Sequence, residues 1–479
     1  MKFYLRHIQR STWVVIVATT LFVLFFGVTN WVRQVNLATS QFDMGNMDQT
    51  LWHSLHGQWF QMTDPLHPVL ELRSAIHADY LLLAYLPFYA LFPDPRTPLV
   101  LQVLAVASGV IPLYLLARKR LGAPVGALLS VLYLLYPTLQ WAVTFDVHAV
   151  VLTTPLFLWA WWAATERRWW VYYAAIALAV LAKEEVGLVV AFMGLYWVWR
   201  RGYRTMGIVS CVLGLVWSVL MVQWAIPAAR NAPGHFALGY YQEFGDSAGA
   251  IVQNMLRHPL HTLAEMFDRD GLVLLRTLLV SVGGVALFGL PVLLIAAPEF
   301  ALNVLSNNAS QHTIYFHYMS VITPFIFLAT IDGWERARRW YRPPNRVVVE
   351  RVAGGVVLGL ALVASVRWSP LPWPNHFAEA TKVFHASPYR QDINAVQRDL
   401  RPNDRVAATS NVVPQFSRRN LIWAFPNDLD QADAVVVLEG GQFEALPPDQ
   451  MSMKVRELSD NPAFTLIRHN NLFWYFRRL

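Results

Sequence analysis

The sequence predicts an all-α polytopic membrane protein that carries a small α/β domain at its C-terminal end. A chain of 479 residues that is 55% hydrophobic and only 14% charged cannot bury its apolar surface in one water-soluble core. Several runs, beginning with residues 13–31, reach the roughly 20 apolar residues that cross a bilayer. Beyond residue 368 the long apolar runs give way to short strand-like runs, which indicates a separate domain.

Charge and cysteine content exclude several classes of protein. The net charge is +7, but residues 368–479 contain as many basic as acidic side chains, so the excess lies in the membrane part and we expect no nucleic-acid partner. Cys211 is the single cysteine, which excludes an intrachain disulfide and a cysteine-based metal site. The sequence also lacks Walker, dinucleotide-binding and zinc-protease motifs.

Basic clusters predict the sidedness of the chain, because Arg and Lys accumulate in the cytoplasmic loops of membrane proteins. We place five clusters inside: Lys2, Arg6 and Arg10; Arg118, Lys119 and Arg120; Arg167 and Arg168; Arg200, Arg201 and Arg204; and Arg336, Arg338, Arg339, Arg342 and Arg346. An even number of crossings between successive clusters gives about eleven spans in a cytoplasmic (plasma) membrane. They are residues 12–32, 98–117, 123–141, 149–164, 169–183, 185–199, 205–227, 272–289, 290–305, 318–334 and 348–367.

This topology divides the chain into a membrane domain, residues 1–367, and an extracytoplasmic α/β domain, residues 368–479. The N-terminus is expected to be cytoplasmic, and the first outer loop covers about residues 34–97. We expect the last two runs before residue 306 to form a hairpin that turns at Leu290-Pro291. In the C-terminal domain, strands are predicted at residues 405–409 and 434–438, with a hairpin of 464–468 and 472–476.

The apolar run at residues 80–92 does not fit as a span, because it is short, contains Pro87 and would break the parity of crossings. We interpret it as an interfacial or re-entrant helix. The alternative is that this run crosses the membrane and a neighbouring run does not.

Ionisable and polar side chains gather on the predicted outer face. Each one alone could be a helix cap, a solvated loop residue or an interfacial ion pair. Polar groups held this close to a bilayer are costly, so their convergence indicates a functional site. The group comprises Asp43, Asp48, His77, Asp146, His148, Lys183, Glu184, Arg276, His312, His317 and Tyr318.

These residue types suit transfer of a group from a lipid-linked phosphate donor. Carboxylates and imidazoles without thiolates favour a divalent cation, magnesium or manganese before zinc, and we expect Asp146, His148 and Glu184 as its ligands. A remaining carboxylate can act as general base, and a cation can neutralise the phosphate that leaves. The residues expected to bind the donor phosphate or the substrate are His77, Lys183, Arg276, His312, His317 and Tyr318, although Arg276 could instead pair with Glu299.

The order of these motifs resembles the prokaryotic membrane proteins grouped as domain of unknown function 2079. The likeness rests on Phe42-Asp43-x-Gly45, Asp48-Gln49, His77, Leu134-Leu135-Tyr136-Pro137, Phe145-Asp146-x-His148, Lys183-Glu184-Glu185-Val186-Gly187, and His317-Tyr318 followed by Pro324-Phe325. It is close over about residues 40–335 and looser in the C-terminal domain.

That family is similar to the GT-C superfamily of membrane glycosyltransferases, which use polyprenyl-phosphate sugars and an essential acidic residue in the first outer loop. The resemblance implies that Asp43 occupies the matching place, with Asp48 as the alternative. Several members of the superfamily carry adjacent Asp and Glu in this loop, whereas the two acids here lie five residues apart. The choice between them is therefore open at the level of sequence.

The function predicted from the sequence is transfer of a sugar from a polyprenyl-phosphate donor to an acceptor on the extracytoplasmic face, by a membrane glycosyltransferase of GT-C type. The bilayer and the lipid-linked sugar are the expected partners. A transporter or flippase is one alternative, but it would carry polar residues through to the cytoplasmic ends of its helices, where only ordinary basic clusters stand. A non-catalytic membrane assembly protein is the other.

Overall fold

The computed structural model describes residues 9–200, 202–232, 234–341, 345–441, 444 and 446–479. The chain is mostly helical up to residue 368, and a five-stranded sheet follows. Lys2, Arg6, Arg201 and Arg342, which contributed to the predicted sidedness, lie outside the described residues.

Within the described residues, five helices are long and apolar enough to cross a membrane, judged by length and composition. They are Arg10–Val35, Arg96–Leu121, Arg204–Arg230, Val285–Val304 and Arg346–Trp368. A sixth is added if Ala123–Leu135 and Pro137–Thr144, which are bent by 47° relative to each other, form one span. Shorter helices include Ala149–Thr165, Trp169–Val180, Val186–Trp199, Arg269–Val280 and Thr323–Trp340.

The apolar run at residues 80–92, which was not predicted to cross the membrane, forms two short helical segments. Tyr80–Tyr85 is a 3-10 helix, and Leu86–Leu91 continues it as an α-helix with Pro87 in its first turn. Twelve helical residues rise at most about 24 Å even in the extended 3-10 geometry, less than the roughly 30 Å of a bilayer core.

The predicted hairpin with its turn at Leu290-Pro291 is wrong. The chain instead turns at residues 281–284, where Gly283 and Gly284 have φ angles of +61° and +68°, which glycine adopts without a steric penalty. Val285–Val304 then runs on as one apolar stretch. Pro291 lies in the first turn of a helical segment, where its missing N–H has no hydrogen bond to lose, so it does not break the stretch.

Two neighbouring helices meet so closely that glycine is required between them. A Cβ atom on Gly187 of Val186–Trp199 would lie 2.4 Å from the carbonyl oxygen of Gly214 in Arg204–Arg230. Small residues at such crossings allow the backbones of membrane helices to touch. The Ser218 hydroxyl of the second helix donates to the carbonyl of Glu184 at 2.7 Å, so this contact fixes the turn at residues 181–185.

The first loop contains the helix Asn46–Leu55, preceded by one turn of π-helix, Gln41–Gly45, and followed by a short antiparallel pair of strands. The strands are β1 (Gln61–Thr63) and β2 (Leu70–Leu72). The pair was not predicted, because each strand has only three residues.

The C-terminal sheet has the strand order β4-β3-β5-β7-β6. Its three parallel strands are β3 (Val406–Ala408), β4 (Ile422–Ala424) and β5 (Ala434–Leu438), and the antiparallel hairpin is formed by β6 (Phe464–Asn470) and β7 (Phe473–Arg478). Strands within residues 405–409 and 434–438 and the terminal hairpin are confirmed. One helix covers each face: Arg390–Asp399 packs on the face of Val406 and Val436, and Pro448–Ser459 packs on the face of Ala407 and Val435.

The C-terminal domain docks on the first loop through a buried polar contact. Asp48 is fully buried and accepts hydrogen bonds from the Tyr89 hydroxyl at 2.7 Å and the Ser417 hydroxyl at 2.6 Å. Gln49 donates to the Arg419 carbonyl at 3.0 Å, and the Ala424 N–H donates to the Pro65 carbonyl at 2.8 Å. The loop and the domain are therefore joined over several residues of each. Burial raises the pKa of Asp48 to about 6, although the hydrogen bonds from Ser417 and Tyr89 oppose this effect.

Stability should depend on pH through Asp48. Its pKa of about 6 in the folded chain lies above the 3.8 of an unperturbed Asp, so the folded state holds the proton more tightly. The free energy of unfolding should fall by up to about 3 kcal/mol as the pH rises from about 4 to 6. Asp48→Asn should remove this part of the pH dependence, as measured by thermal unfolding at a series of pH values. Asp460→Asn, at an exposed carboxylate, is the control, and an unchanged slope in Asp48→Asn would contradict the assignment.

Candidate functional site

A cavity of about 510 Å³ lies between the first loop, the turns at residues 145–149 and 181–185, and the segment after Arg204–Arg230. One part of its lining is polar and another is apolar. Seven of the predicted site residues line it: Asp43, His77, His148, Lys183, Glu184, His317 and Tyr318.

Asp43 reaches the cavity from the π-helical turn Gln41–Gly45. One carboxylate oxygen lies 3.0 Å from His148 Nε2, and the other accepts a hydrogen bond from the Ser40 hydroxyl at 3.1 Å. The side chain is 25% exposed, so part of the carboxylate faces the cavity. Burial raises the pKa of Asp43, but the charge and hydrogen bond of His148, with the hydrogen bond from Ser40, outweigh it and lower the pKa overall.

Asp146 lies behind Asp43 and does not line the cavity. It is buried, and it accepts hydrogen bonds from the Ser40 N–H at 2.8 Å and from Arg33 at 3.3 Å. The Ser40 hydroxyl is also within 3.1 Å of this carboxylate, so Ser40 connects the two acids. Asp146 thus supports the turn that carries Asp43.

His148 is held between Asp43 and His317. The two imidazole rings stack with 3.7 Å between their centroids. Both rings are buried, and within the described part of the chain neither Nδ1 atom has a hydrogen-bond partner. His148 therefore directs Nε2 at the Asp43 carboxylate, and the two Nδ1 atoms are enclosed by the protein.

Glu184 forms a second cluster with two histidines. Its Oε1 atom lies 2.8 Å from His77 Nδ1 and 3.0 Å from His235 Nε2, and its Oε2 atom accepts the Ala78 N–H at 3.0 Å. One ligand atom from each of His77, Glu184 and His235 lies within 4.8 Å of the others, close enough to share a metal ion. Two imidazoles and one carboxylate match the donors of catalytic zinc sites.

Cationic side chains also line the cavity. Lys183 Nζ lies 2.7 Å from a Glu185 oxygen and 5.9 Å from the centre of the Tyr318 ring. Arg73 is buried and its guanidinium binds Asp79 through Nε and Nη2, the latter at 2.9 Å. Both cations line the cavity, and each is already paired with a carboxylate, Lys183 with Glu185 and Arg73 with Asp79.

The remaining wall is apolar and is formed by three helices. Leu188 belongs to Val186–Trp199 and Val222 to Arg204–Arg230. Ile251, Val252 and Met255 belong to Ala248–Arg257. Such a wall suits a hydrocarbon chain. The apolar lining residues include Leu188, Val222, Ile251, Val252 and Met255.

Four predicted site residues are missing from the described lining of the cavity: Asp48, Asp146, Arg276 and His312. Arg276 is exposed on Arg269–Val280, and no salt bridge to Glu299 is found in the described residues. His312 Nε2 instead lies 2.7 Å from the Ser306 carbonyl oxygen. The expected metal set of Asp146, His148 and Glu184 is also divided, because Glu184 groups with His77 and His235.

The sequence reasoning missed His235 and Arg73. His235 stands in the polar loop after Arg204–Arg230, on the face where the other histidines were placed, so the same sidedness argument applied to that loop would have included it. Arg73 stands four residues before His77 but gave no motif. Glu299, considered only as a partner of Arg276, lines the cavity with one buried carboxylate oxygen that lacks a partner in the described residues.

Comparison with solved structures finds ArnT from Cupriavidus metallidurans in two states. The structure bound to undecaprenyl phosphate is 12% identical in sequence and aligns over 98% of this chain and 99% of ArnT, with a TM-score of 0.53. The apo structure is 13% identical and aligns over 96% and 97% of the two chains, also with a TM-score of 0.53. At this identity the likeness concerns the fold.

A family profile described as predicted membrane protein, DUF2079, matches residues 33–451. Comparison with curated proteins gives no match. The profile spans most of the chain, which confirms the resemblance predicted from the motifs. The protein therefore belongs to the DUF2079 family of membrane proteins, and its fold is similar to the GT-C fold of ArnT.

Proposed function

We propose that this protein is a membrane glycosyltransferase that transfers a sugar from a polyprenyl-phosphate donor to a hydroxyl acceptor on the extracytoplasmic face. The observation that carries the proposal is one cavity that combines the Asp43 carboxylate, two cations and an apolar wall. The likeness to ArnT, which was solved with undecaprenyl phosphate, supports the choice of donor.

In this reaction Asp43 acts as general base and removes the proton of the acceptor hydroxyl. The acceptor oxygen forms a bond to the anomeric carbon of the sugar as the bond from that carbon to the phosphate oxygen breaks. The electron pair of the broken bond leaves with the polyprenyl phosphate, whose negative charge Lys183 and Arg73 stabilise. The apolar wall holds the lipid chain, and His148 orients the base.

His77, Glu184 and His235 are the residues that would hold a divalent cation. Their donor set favours zinc over the magnesium or manganese expected from the sequence. When bound, such an ion would supply positive charge to the cavity. Lys183 directly precedes Glu184 in the chain, and Glu185 directly follows it. The contacts of Glu184 with His77 and His235 therefore also fix the turn that carries Lys183 and Glu185.

Asp43→Asn should lower the transfer rate by at least about 100-fold, because general-base catalysis contributes 10² to 10⁴. The full chain in liposomes is supplied with undecaprenyl-phosphate hexoses and pentoses, and release of undecaprenyl phosphate is measured with membrane extract as the source of acceptors. Asp48→Asn is the matched control and should keep activity within a factor of a few. Wild-type turnover in Asp43→Asn, or loss in Asp48→Asn alone, would contradict the assignment of the base.

Removing His148 should move the pH dependence of the reaction. Without the charge and hydrogen bond of His148, only the weaker effects of Ser40 and Arg73 oppose the rise that burial causes in the pKa of Asp43. In His148→Ala the acidic limb of kcat/KM should therefore shift to higher pH, and kcat should fall by about tenfold. His148→Gln keeps a hydrogen-bond donor and should restore part of kcat. His312→Ala is the control, and an unshifted limb in His148→Ala would show that the two side chains are not coupled.

Metal content provides a separate test of the cluster. The purified full chain should carry about one divalent ion per molecule by elemental analysis, with zinc as the main species. Glu184→Gln should lower this content to below about one fifth, because the ion loses its charged ligand. His312→Ala should retain it. Full metal content in Glu184→Gln would exclude this cluster as the binding site.

A further inference from the structure

A second cavity, of about 130 Å³, lies where three parts of the chain meet. The C-terminal end of Arg10–Val35 and the start of Arg96–Leu121 form one side, and the C-terminal domain forms the other with the helix Arg390–Asp399 and the loop of residues 414–418. Its lining is almost entirely polar. Among the described residues, it shares no lining residue with the Asp43 cavity.

Three guanidinium groups surround this second cavity. Arg96 is paired with Asp94, at 2.6 Å and 2.8 Å. Arg390 donates to the Val35 carbonyl at 2.7 Å, and Arg418 donates to the Pro93 carbonyl at 2.6 Å. A carbonyl fixes a guanidinium in place without neutralising it. Asp94 is the one carboxylate in the described lining, so three guanidinium groups and one carboxylate give the lining a net charge of about +2.

Aromatic and apolar side chains place the cavity at the level of the lipid head groups. The Arg96 guanidinium lies 4.3 Å from the centre of the Trp31 ring, and Trp31 is 47% exposed near the end of its helix. Phe88, Leu91 and Phe92, just before Asp94 in sequence, are also exposed. Exposed Trp and Phe side chains beside charged residues are typical of the membrane interface.

We propose that this second cavity binds a phosphate group, either in the head group of an anionic membrane lipid or as free phosphate. Guanidinium groups match the oxygens of a phosphate through paired hydrogen bonds, and basic pockets between membrane helices bind anionic head groups. A bound phosphate would join the first transmembrane helix, the first loop and the C-terminal domain through one set of contacts. The site is separate from the proposed glycosyl transfer and does not depend on it.

Thermal unfolding of the full chain in a neutral detergent tests this site, with dioctanoyl phosphatidylglycerol and inorganic phosphate as separate probes. At least one probe should raise the Tm of the wild-type chain in a saturable way. The double variant Arg390→Gln/Arg418→Gln should bind that probe at least tenfold more weakly, because two charge-assisted contacts are lost. Arg398→Gln, on the same helix but outside the cavity lining, is the matched control and should bind as the wild type does.

Asn394→Asp separates loss of the ligand from loss of folding. Asn394 lines the cavity, and the change adds a negative charge while it leaves all three arginines in place. It should weaken binding as the double variant does. A response to the lipid alone identifies a head-group site, and a response to inorganic phosphate identifies a site for the free anion. No response of the wild type to either probe, or equal binding by the wild type, the double variant and Asn394→Asp, would overturn the proposal.

Discussion

A carboxylate buried beside a bilayer is stable only when other groups supply hydrogen bonds and compensating charge, and this requirement shapes the whole region around the first loop. Four acids of this region find partners in segments far away in sequence, so satisfying them also assembles the tertiary structure. The pairs are Asp43 with His148, Asp146 with Arg33, Glu184 with His77 and His235, and Asp48 with Ser417. Three of these four acids stand in or directly behind one cavity, which is why the polar groups act as a site rather than as scattered surface residues.

The two acids of the first loop show how the same residue type acquires different surroundings. Asp43 lies in the π-helical turn Gln41–Gly45 and Asp48 in the α-helix Asn46–Leu55, and the two side chains face different directions. Asp43 faces the cavity and is partly exposed, whereas Asp48 faces Tyr89 and the C-terminal domain and is fully buried. His148 lowers the pKa of the first, and burial raises the pKa of the second to about 6. The loop therefore holds one carboxylate available for chemistry and uses the other as a structural contact.

The apolar helices and the C-terminal strands could be predicted because lipid thickness fixes the length of a span and strand periodicity is local. About eleven spans were expected, whereas five or six helices in the described residues are long and apolar enough to cross a membrane. The convergence of Asp43, His148 and Glu184 was predicted from the basic clusters, because placing these clusters in cytoplasmic loops assigns every other loop to one face of the membrane. Sidedness does not tell which side chains on that face touch each other, so the contact between Glu184 and His235 could not be predicted from the sequence. The turn at Gly283 was misplaced because a proline inside an apolar run indicates a break, and only the structure shows it in a first helical turn. Asp43 and Asp48 could not be separated from the sequence either, because their directions depend on the π-helical turn that precedes Asn46–Leu55.

The contact between Asp48 and Ser417 joins positions 369 residues apart in the chain. A ribosome makes the first loop early, whereas Ser417 emerges only after every transmembrane helix has been synthesised. Through most of biosynthesis, Asp48 must remain hydrated or protonated, since its final partner does not yet exist. The loop that carries Asp43 therefore reaches its final arrangement only when the C-terminal domain has folded and docked. Completion of the cavity is in this way tied to completion of the chain, and a truncated product would insert without an ordered first loop.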